Sequence, residues 1–345
     1  EDTLNFLPKM DTEPEGYYYE DHIIHGIPEH IKKKLPNADR IGNTYVNLLS
    51  ASVGAGSANF PQDDDGIIRR APTAIYFDGP DHVYPSLVMS AAIDILGIKK
   101  DGGFQYDFDE NILRLIDTTD TVIREIPIDD HGRMYVNYYG PFQTFYYLPY
   151  MYCFDPEMLP PEYWEGKVAL VGASLPGLMD LRNTPVQETF AGVEIHANVM
   201  NSLLKGEFVQ PKSRSEIFVI IIVISILLGV AVSFPEKPLY TLPIPLVGIV
   251  AWILFTYSQF FSSLIMWEVV RPAISMITTY GGIFLYNFLI VEKDKRFLKD
   301  TFGTYISPDL IDQMFDSKEE PQLGGNEGYH TAFFTDIQSF SAFSE

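Results

Sequence analysis

The chain has 345 residues, with 46 acidic against 24 basic side chains, a net charge of −22, and one cysteine, Cys153. That charge excludes a nucleic-acid-binding surface, which needs clustered Lys and Arg, and a lone cysteine excludes an intrachain disulfide. The length corresponds to about two globular domains, but the apolar residues are unevenly spread. Residues 1–214 are acidic and mixed, 217–291 almost uncharged, and the remainder charged again. This profile predicts a membrane protein with water on both sides. The chain begins at Glu1 rather than Met and stops inside what reads as a domain, so it is expected to be a piece of a longer protein at both ends. No signal peptide is visible; one, or an anchor, would precede Glu1.

Between about residues 20 and 210, strand-like and helix-like patterns alternate. Asp63-Asp64-Asp65-Gly66 places carboxylates before a glycine, but a calcium loop of the EF-hand kind alternates its ligands. Consecutive Asp here predicts a solvated turn leading into Ile67-Ile68. Ser86–Leu96 reads as a helix stopped by Gly97. Tyr135–Tyr138 and Phe145–Leu148 are aromatic and β-branched, with Gly140-Pro141 as the turn between them. Lys167–Gly172, a short apolar run ended by glycine, predicts a buried strand of an α/β sheet. Gly172-Ala-Ser174-Leu-Pro176 lacks the second glycine of a nucleophile elbow, so Ser174 is not expected to be a nucleophile. Gly192–Gly206 reads as an amphipathic helix with Val193, Met200 and Leu203 on one face and Glu194 at its N-terminal end. His196 has no second His or Cys at ligand spacing and reads as a structural histidine.

A resemblance rests on motifs in fixed order: Asp63-x-Asp65-Gly66-Ile-Ile-Arg69-Arg70, Gly166–Gly172, Asp180-x-x-x-Thr184-Pro185, and Gly192-Val-Glu-Ile-His-Ala-Asn198 with Leu203-Leu204. Together they resemble the second CHASE family, extracytoplasmic sensor domains of bacterial receptors, from roughly Asp21 to Gly206. The resemblance implies an α/β sensor domain, assigned to residues 1–214, for a stimulus it leaves unnamed. It also implies a few transmembrane helices and a cytoplasmic output domain.

Three apolar runs follow, at 217–234, 239–261 and 272–291, each near the roughly 18 residues a spanning helix needs. They define a membrane segment at 215–291, joined by the polar turn Pro235-Glu236-Lys237-Pro238. Trp252 is expected mid-span and Trp267 at the interface, where Trp is enriched; Pro272 fits a first helical position. Three spans would put the two soluble parts on opposite sides of the bilayer. Basic residues flank both ends of the segment (Lys205, Lys212 and Arg214 before it, Lys293, Lys295, Arg296 and Lys299 after it), so charge alone leaves orientation open. The sensor resemblance places residues 1–214 outside a bacterial inner membrane and those after Val291 in the cytoplasm.

Residues 292–329 read as a juxtamembrane helix and linker. Leu298, Phe302 and Tyr305 form a narrow stripe for a partner copy or for the helix's own domain, and Ser307-Pro308 starts a helix over Asp309–Phe315. At 330–345 an apolar run climbs to Asp336, and a small-residue turn follows, a combination suited to a metal and a polyphosphate. Phe334-x-Asp336-Ile337-x-x-Phe340-Ser341 resembles the first metal-binding motif of class III nucleotide cyclases, which implies the opening of an α+β catalytic domain. The resemblance implies that Asp336, with a second aspartate and the Ile337 carbonyl, holds two Mg2+ or Mn2+ ions. It also implies that the turn Ile337, Gln338, Ser339, Phe340 and Ser341 cradles the triphosphate. Ser339 stands where many relatives carry Gly, and Gln338 where Arg is common. The implied reaction is attack of a ribose 3′-hydroxyl on the α-phosphorus of ATP, or GTP, giving cyclic nucleotide and pyrophosphate in a homodimer. Residues 1–345 alone are expected to be inactive. The alternatives are a degenerate cyclase domain or a kinase output. A transporter is disfavoured because the spans carry no charge.

Overall fold

The computed structural model describes residues 22–38, 51–77, 81–155, 157–174, 180–235, 238–287 and 331–335, with isolated positions beyond 287. The chain divides into two compact units, Glu1–Ile222 with Ile249–Pro272, and Val223–Gly248 with Ala273–Glu345.

In the first unit the elements run α1 (Glu29–Lys32), β1 (Asn37–Ala38), β2 (Arg70–Pro72), β3 (Ala74–Phe77), β4 (His82–Pro85), α2 (Leu87–Leu96), β5 (Phe104–Asp107), β6 (Ile112–Ile116), β7 (Val122–Pro127), β8 (Arg133–Tyr135), β9 (Leu181–Arg182), β10 (Phe190–Ala191), α3 (Gly192–Lys205) and β11 (Gln210–Pro211). They form several small sheets: β1-β3-β4, β5-β6-β7, and the pairs β2-β8 and β9-β10. The β5-β6-β7 meander is antiparallel throughout, so β6 alternates, with Leu113 and Leu115 fully buried while Arg114 faces outward. One core joins Ile31, Ile68, Met89, Leu113, Ile126 and Leu203. Burying each such side chain contributes about 1.5–3 kcal/mol.

Helix α2 matches its sequence signals. Ser86 caps it by accepting from the Met89 N–H, and Gly97 ends it at φ 68°. Helix α3 ends at Gly206, φ 73°, and Arg124 donates to the carbonyls of Leu203 at 2.7 Å and Leu204 at 2.9 Å, placing a cation on the helix C-terminus.

Two expected strands are absent. Phe145–Leu148 is irregular, because the Gln143, Thr144 and Phe145 N–H groups are spent on a carboxylate described below. The expected buried strand at Lys167–Gly172 is neither a strand nor buried: Val171 is 77% exposed and no described strand pairs with the segment. A Cβ on Gly172 would lie 2.6 Å from Val193, so this segment packs through its backbone rather than through an apolar face.

Helix α4 (Arg214–Ser233) and helix α5 (Pro243–Ser263) are long and apolar enough to cross a membrane. Both start within a few residues of the first two expected spans. Helix α6 (Val270–Tyr286) covers most of the third expected run; at 17 residues its described part falls short of a full span, and the run's last residues are largely outside the described set. In the second unit, Ser225 and Ser275 hydrogen-bond at 3.0 Å between α4 and α6, a polar tie of the kind apolar helices use in lipid. A Cβ on Gly248 would meet the Met276 sulfur at 3.2 Å, so the glycine permits close approach of α5 to α6.

Candidate sensory and relay site

Glu194 is the centre of the first constellation. Expected at the helix end as a dipole partner, it is instead 2% exposed. Its carboxylate accepts from the backbone N–H groups of Gln143 (3.0 Å), Thr144 (2.9 Å) and Phe145 (3.4 Å), and from the Tyr147 hydroxyl (2.8 Å). Gln143 sits at φ 70°, the left-handed turn that aims successive N–H groups at one anion. Burial, reinforced by the carboxylate it donates to, pushes the Tyr147 hydroxyl well above its ordinary range. One turn on, Asn198 donates to the Glu194 carbonyl (2.7 Å) and accepts from Tyr139 N–H (2.9 Å), and Ser202 donates to the Asn198 carbonyl (3.0 Å). Helix α3 is therefore buried nearly all round rather than presenting one apolar face: Glu194 and Asn198 take donors from loop 139–147, and Asn198 and Ser202 donate to the helix's own carbonyls.

His196 is buried, as a structural histidine should be, with its ring 4.4 Å from Phe60. Burial lowers its pKa, opposed by the Ala58 backbone and by Asp180, and Nδ1 has no hydrogen-bond partner. A Cβ on Gly192 would lie 2.5 Å from the Asp180 carboxylate, so a larger residue there would have to displace that side chain.

The Asp63–Arg70 motif forms the second constellation. Asp63 to Gly66 is a turn closed by Gly66 N–H on the Asp63 carbonyl, with Gly66 at φ 78°. As the sequence predicts, Asp64 and Asp65 are exposed in this turn; Asp63, by contrast, is drawn in by arginines. Arg69 donates to Asp65 at 2.9 and 2.7 Å. Arg70 bridges Asp63 (3.0 Å from Nε) and Asp129 (2.8 Å), and Arg133 also holds Asp129 at 2.9 Å. Burial works against ionised Asp129, but the Arg133 backbone N–H and guanidinium prevail and hold its carboxyl below the usual range. This is a structural ion-pair lattice; among the described residues no cluster of His, Cys, Asp or Glu could hold a metal. Ser174 sits in irregular backbone, and residues 175–179 after it lie outside the described set.

At the membrane-proximal end, β11 pairs in parallel with β12 (Ile265–Met266). Gln210 N–H donates to the Leu264 carbonyl (2.9 Å) and Lys212 N–H to the Met266 carbonyl (3.0 Å). The Lys212 ammonium lies 5.2 Å over the Trp267 ring and 2.8 Å from Glu216. Trp252, expected mid-span, donates from Nε1 to the Glu268 carbonyl (3.1 Å) and meets Trp267 at 6.1 Å. The segment after α5 folds back onto the middle of that helix, where Trp252 lies. The residue that leaves the sensor and the turn after α5 thus form one hydrogen-bonded clamp.

Of the residues expected to bind metal and nucleotide, Asp336, Ile337, Gln338, Ser339, Phe340 and Ser341 all lie outside the described residues. The run leading to them, Thr331–Thr335, forms no strand, and Phe334 is 92% exposed. No described strand is present for it to pair with, and an unpaired strand does not persist alone. The juxtamembrane stripe and the Asp309–Phe315 helix also fall outside the described set. Sequence reasoning missed Tyr147, Arg124 and the clamp, whose partners are far apart in the chain and leave no periodic signal.

The model of one protein family, the CHASE2 domain, matches residues 10–231, more than half of the chain and including most of α4. No curated protein and no solved structure matches.

Proposed function

The chain belongs to the CHASE2 domain family, and from that premise we propose that it is the sensing and membrane part of a receptor whose output is a class III nucleotide cyclase. The observation that carries the receptor reading is the clamp: β11 precedes α4 and β12 follows α5, and they are paired. The start of α4 and the end of α5 are therefore on one side of a bilayer. An α6 that spans from that side delivers Val291 and the residues after it to the other, which supports three spans with the two soluble parts on opposite sides; the family's sensing role favours the sensor outside and the output in the cytoplasm.

The cyclase reading is supported by the likeness of Phe334–Ser341 to the family's first metal motif. In it, Asp336 and the Ile337 carbonyl, with a second aspartate, would hold Mg2+ or Mn2+; the metals would acidify the ribose hydroxyl and neutralise the phosphates of ATP or GTP. A homodimer would place the site between two catalytic domains. Gln338 and Ser339 depart from the common pattern in the phosphate turn, which favours, as a second reading, a receptor whose cyclase domain has lost turnover. The test is cyclic nucleotide formation by the full receptor in membranes with Mn2+ and ATP or GTP. Activity abolished by Asp336→Ala supports the first reading. Its absence in the wild type, with the receptor folded and inserted, sinks it.

A further inference from the structure

We propose that the cleft between α1 and the β5-β6 hairpin binds a small organic cation, an amine or quaternary ammonium, in the place now held by the chain's own Lys34 ammonium. The half-open cleft has a volume of about 310 Å³; Lys34, Tyr106, Asp107, Phe108 and Asp109 line it, with His30 and Arg114 also on its wall. Tyr106 and Phe108 stack at 5.9 Å and 12°, and Phe108 is half-buried. The Lys34 ammonium stands 4.4 Å over the centre of that ring. A cation on an aromatic face is attracted by the ring quadrupole, worth about 0.5–1 kcal/mol when exposed and about 2 when desolvated.

Lys34 marks a cation site that it holds only loosely. It forms no ion pair among the described residues, and its flexible stem can swing the ammonium into water. The fixed charge around it is negative. Asp107 is held ionised by the backbone N–H groups of Glu110 and Asp109 and by Arg114, and the Asp109 carboxylate makes no ion pair among the described residues. Arg114 is no lure for an anion, because its guanidinium is committed to Asp107, Glu110 and Glu125. The net charge of −22 raises the local concentration of cations further. The cleft floor is fixed by Gly132 at φ 68°: a Cβ there would lie 2.6 Å from Leu35 and 3.3 Å from Tyr106, so only glycine lets the aromatic pair close over α1.

The binding claim stands on the cleft alone; that occupancy is sensed rests on the receptor reading above. Titration calorimetry of the intact chain in detergent, with tetramethylammonium and spermidine as probes and acetate as the anionic control, tests it. Both cations are expected to bind and acetate is not. Phe108→Leu keeps the apolar contact but removes the ring face and should weaken tetramethylammonium about 3- to 30-fold. Lys34→Met removes the internal competitor and should tighten it. Thermal melting of each variant shows that it is folded. The proposal is overturned if neither wild type nor Lys34→Met binds a cation at millimolar concentration, if a folded Phe108→Leu binds as tightly as wild type, or if acetate binds in their place. Cation binding that leaves the output of the full receptor unchanged keeps the cleft assignment and counts against the sensor reading instead.

Discussion

Replacing Glu194 by alanine is expected to be among the most damaging single changes in the sensor unit. Its carboxylate accepts from three backbone N–H groups and one hydroxyl, all between 2.8 and 3.4 Å. Hydrogen bonds to a charged group contribute about 1.5–3 kcal/mol each, and a buried donor left unpaired costs about 1–3 kcal/mol. The full sum overshoots, because loop 141–147 is partly exposed and can relax toward water; the 3.4 Å bond to Phe145 is weak in any case. A loss of about 3–5 kcal/mol follows from two to three effective bonds. For a domain of this size about 2–4 °C of Tm accompanies each kcal/mol, so Glu194→Ala should melt about 6–20 °C below wild type. Glu194→Gln, which keeps the shape but turns an amide toward donors, should fall between. Tyr147→Phe, which removes one bond, should cost about 1–2 kcal/mol. Tryptophan and tyrosine fluorescence of the intact chain during heating reads the transition. A Glu194→Ala protein melting within 2 °C of wild type on the order of one lost surface contact would refute the cradle as an anchor of α3.

Arg70→Met should destabilise by about 2–4 kcal/mol, less than the roughly 3–5 kcal/mol for breaking an isolated buried pair, because Arg69 and Arg133 still face Asp63 and Asp129; a loss under 1 kcal/mol in denaturant titration would argue against it. His196 has its pKa lowered by burial. Its contribution to stability is fully present above its ordinary value of 6.5 and is lost as pH falls through the depressed folded value. Wild type should therefore lose more melting temperature than His196→Gln between neutral and mildly acid pH, and parallel profiles would remove the claim. Gln143 holds φ 70°, so Gln143→Gly should be neutral or stabilise by up to about 1 kcal/mol, whereas Gln143→Val should destabilise; equal melting of the two would show that the turn carries no strain.

Much was legible in the chain because it depends on neighbours in sequence. The first two apolar helices follow from uncharged runs of spanning length, and α2 follows from Ser86 and Gly97 at its ends. The turn at Gly66 follows from the glycine itself, and the family assignment from short motifs, each local in sequence. The local rules failed where a group's partner lies far along the chain. Glu194 finds its donors about 50 positions earlier, and Arg70 finds Asp129 59 positions later. Gln210 and Ile265 meet only because two helices run out and back between them. Those partners decided that Phe145–Leu148 gives up a strand to bind a carboxylate, that Asp63 leaves the solvated turn for an ion-pair lattice with Arg70 and Asp129, and that Trp252 meets Glu268 and Trp267. Periodicity reports which face of an element is apolar; which polar group that face will meet is set by the fold, because a buried donor or charge must be satisfied by whatever the tertiary structure brings within 3 Å.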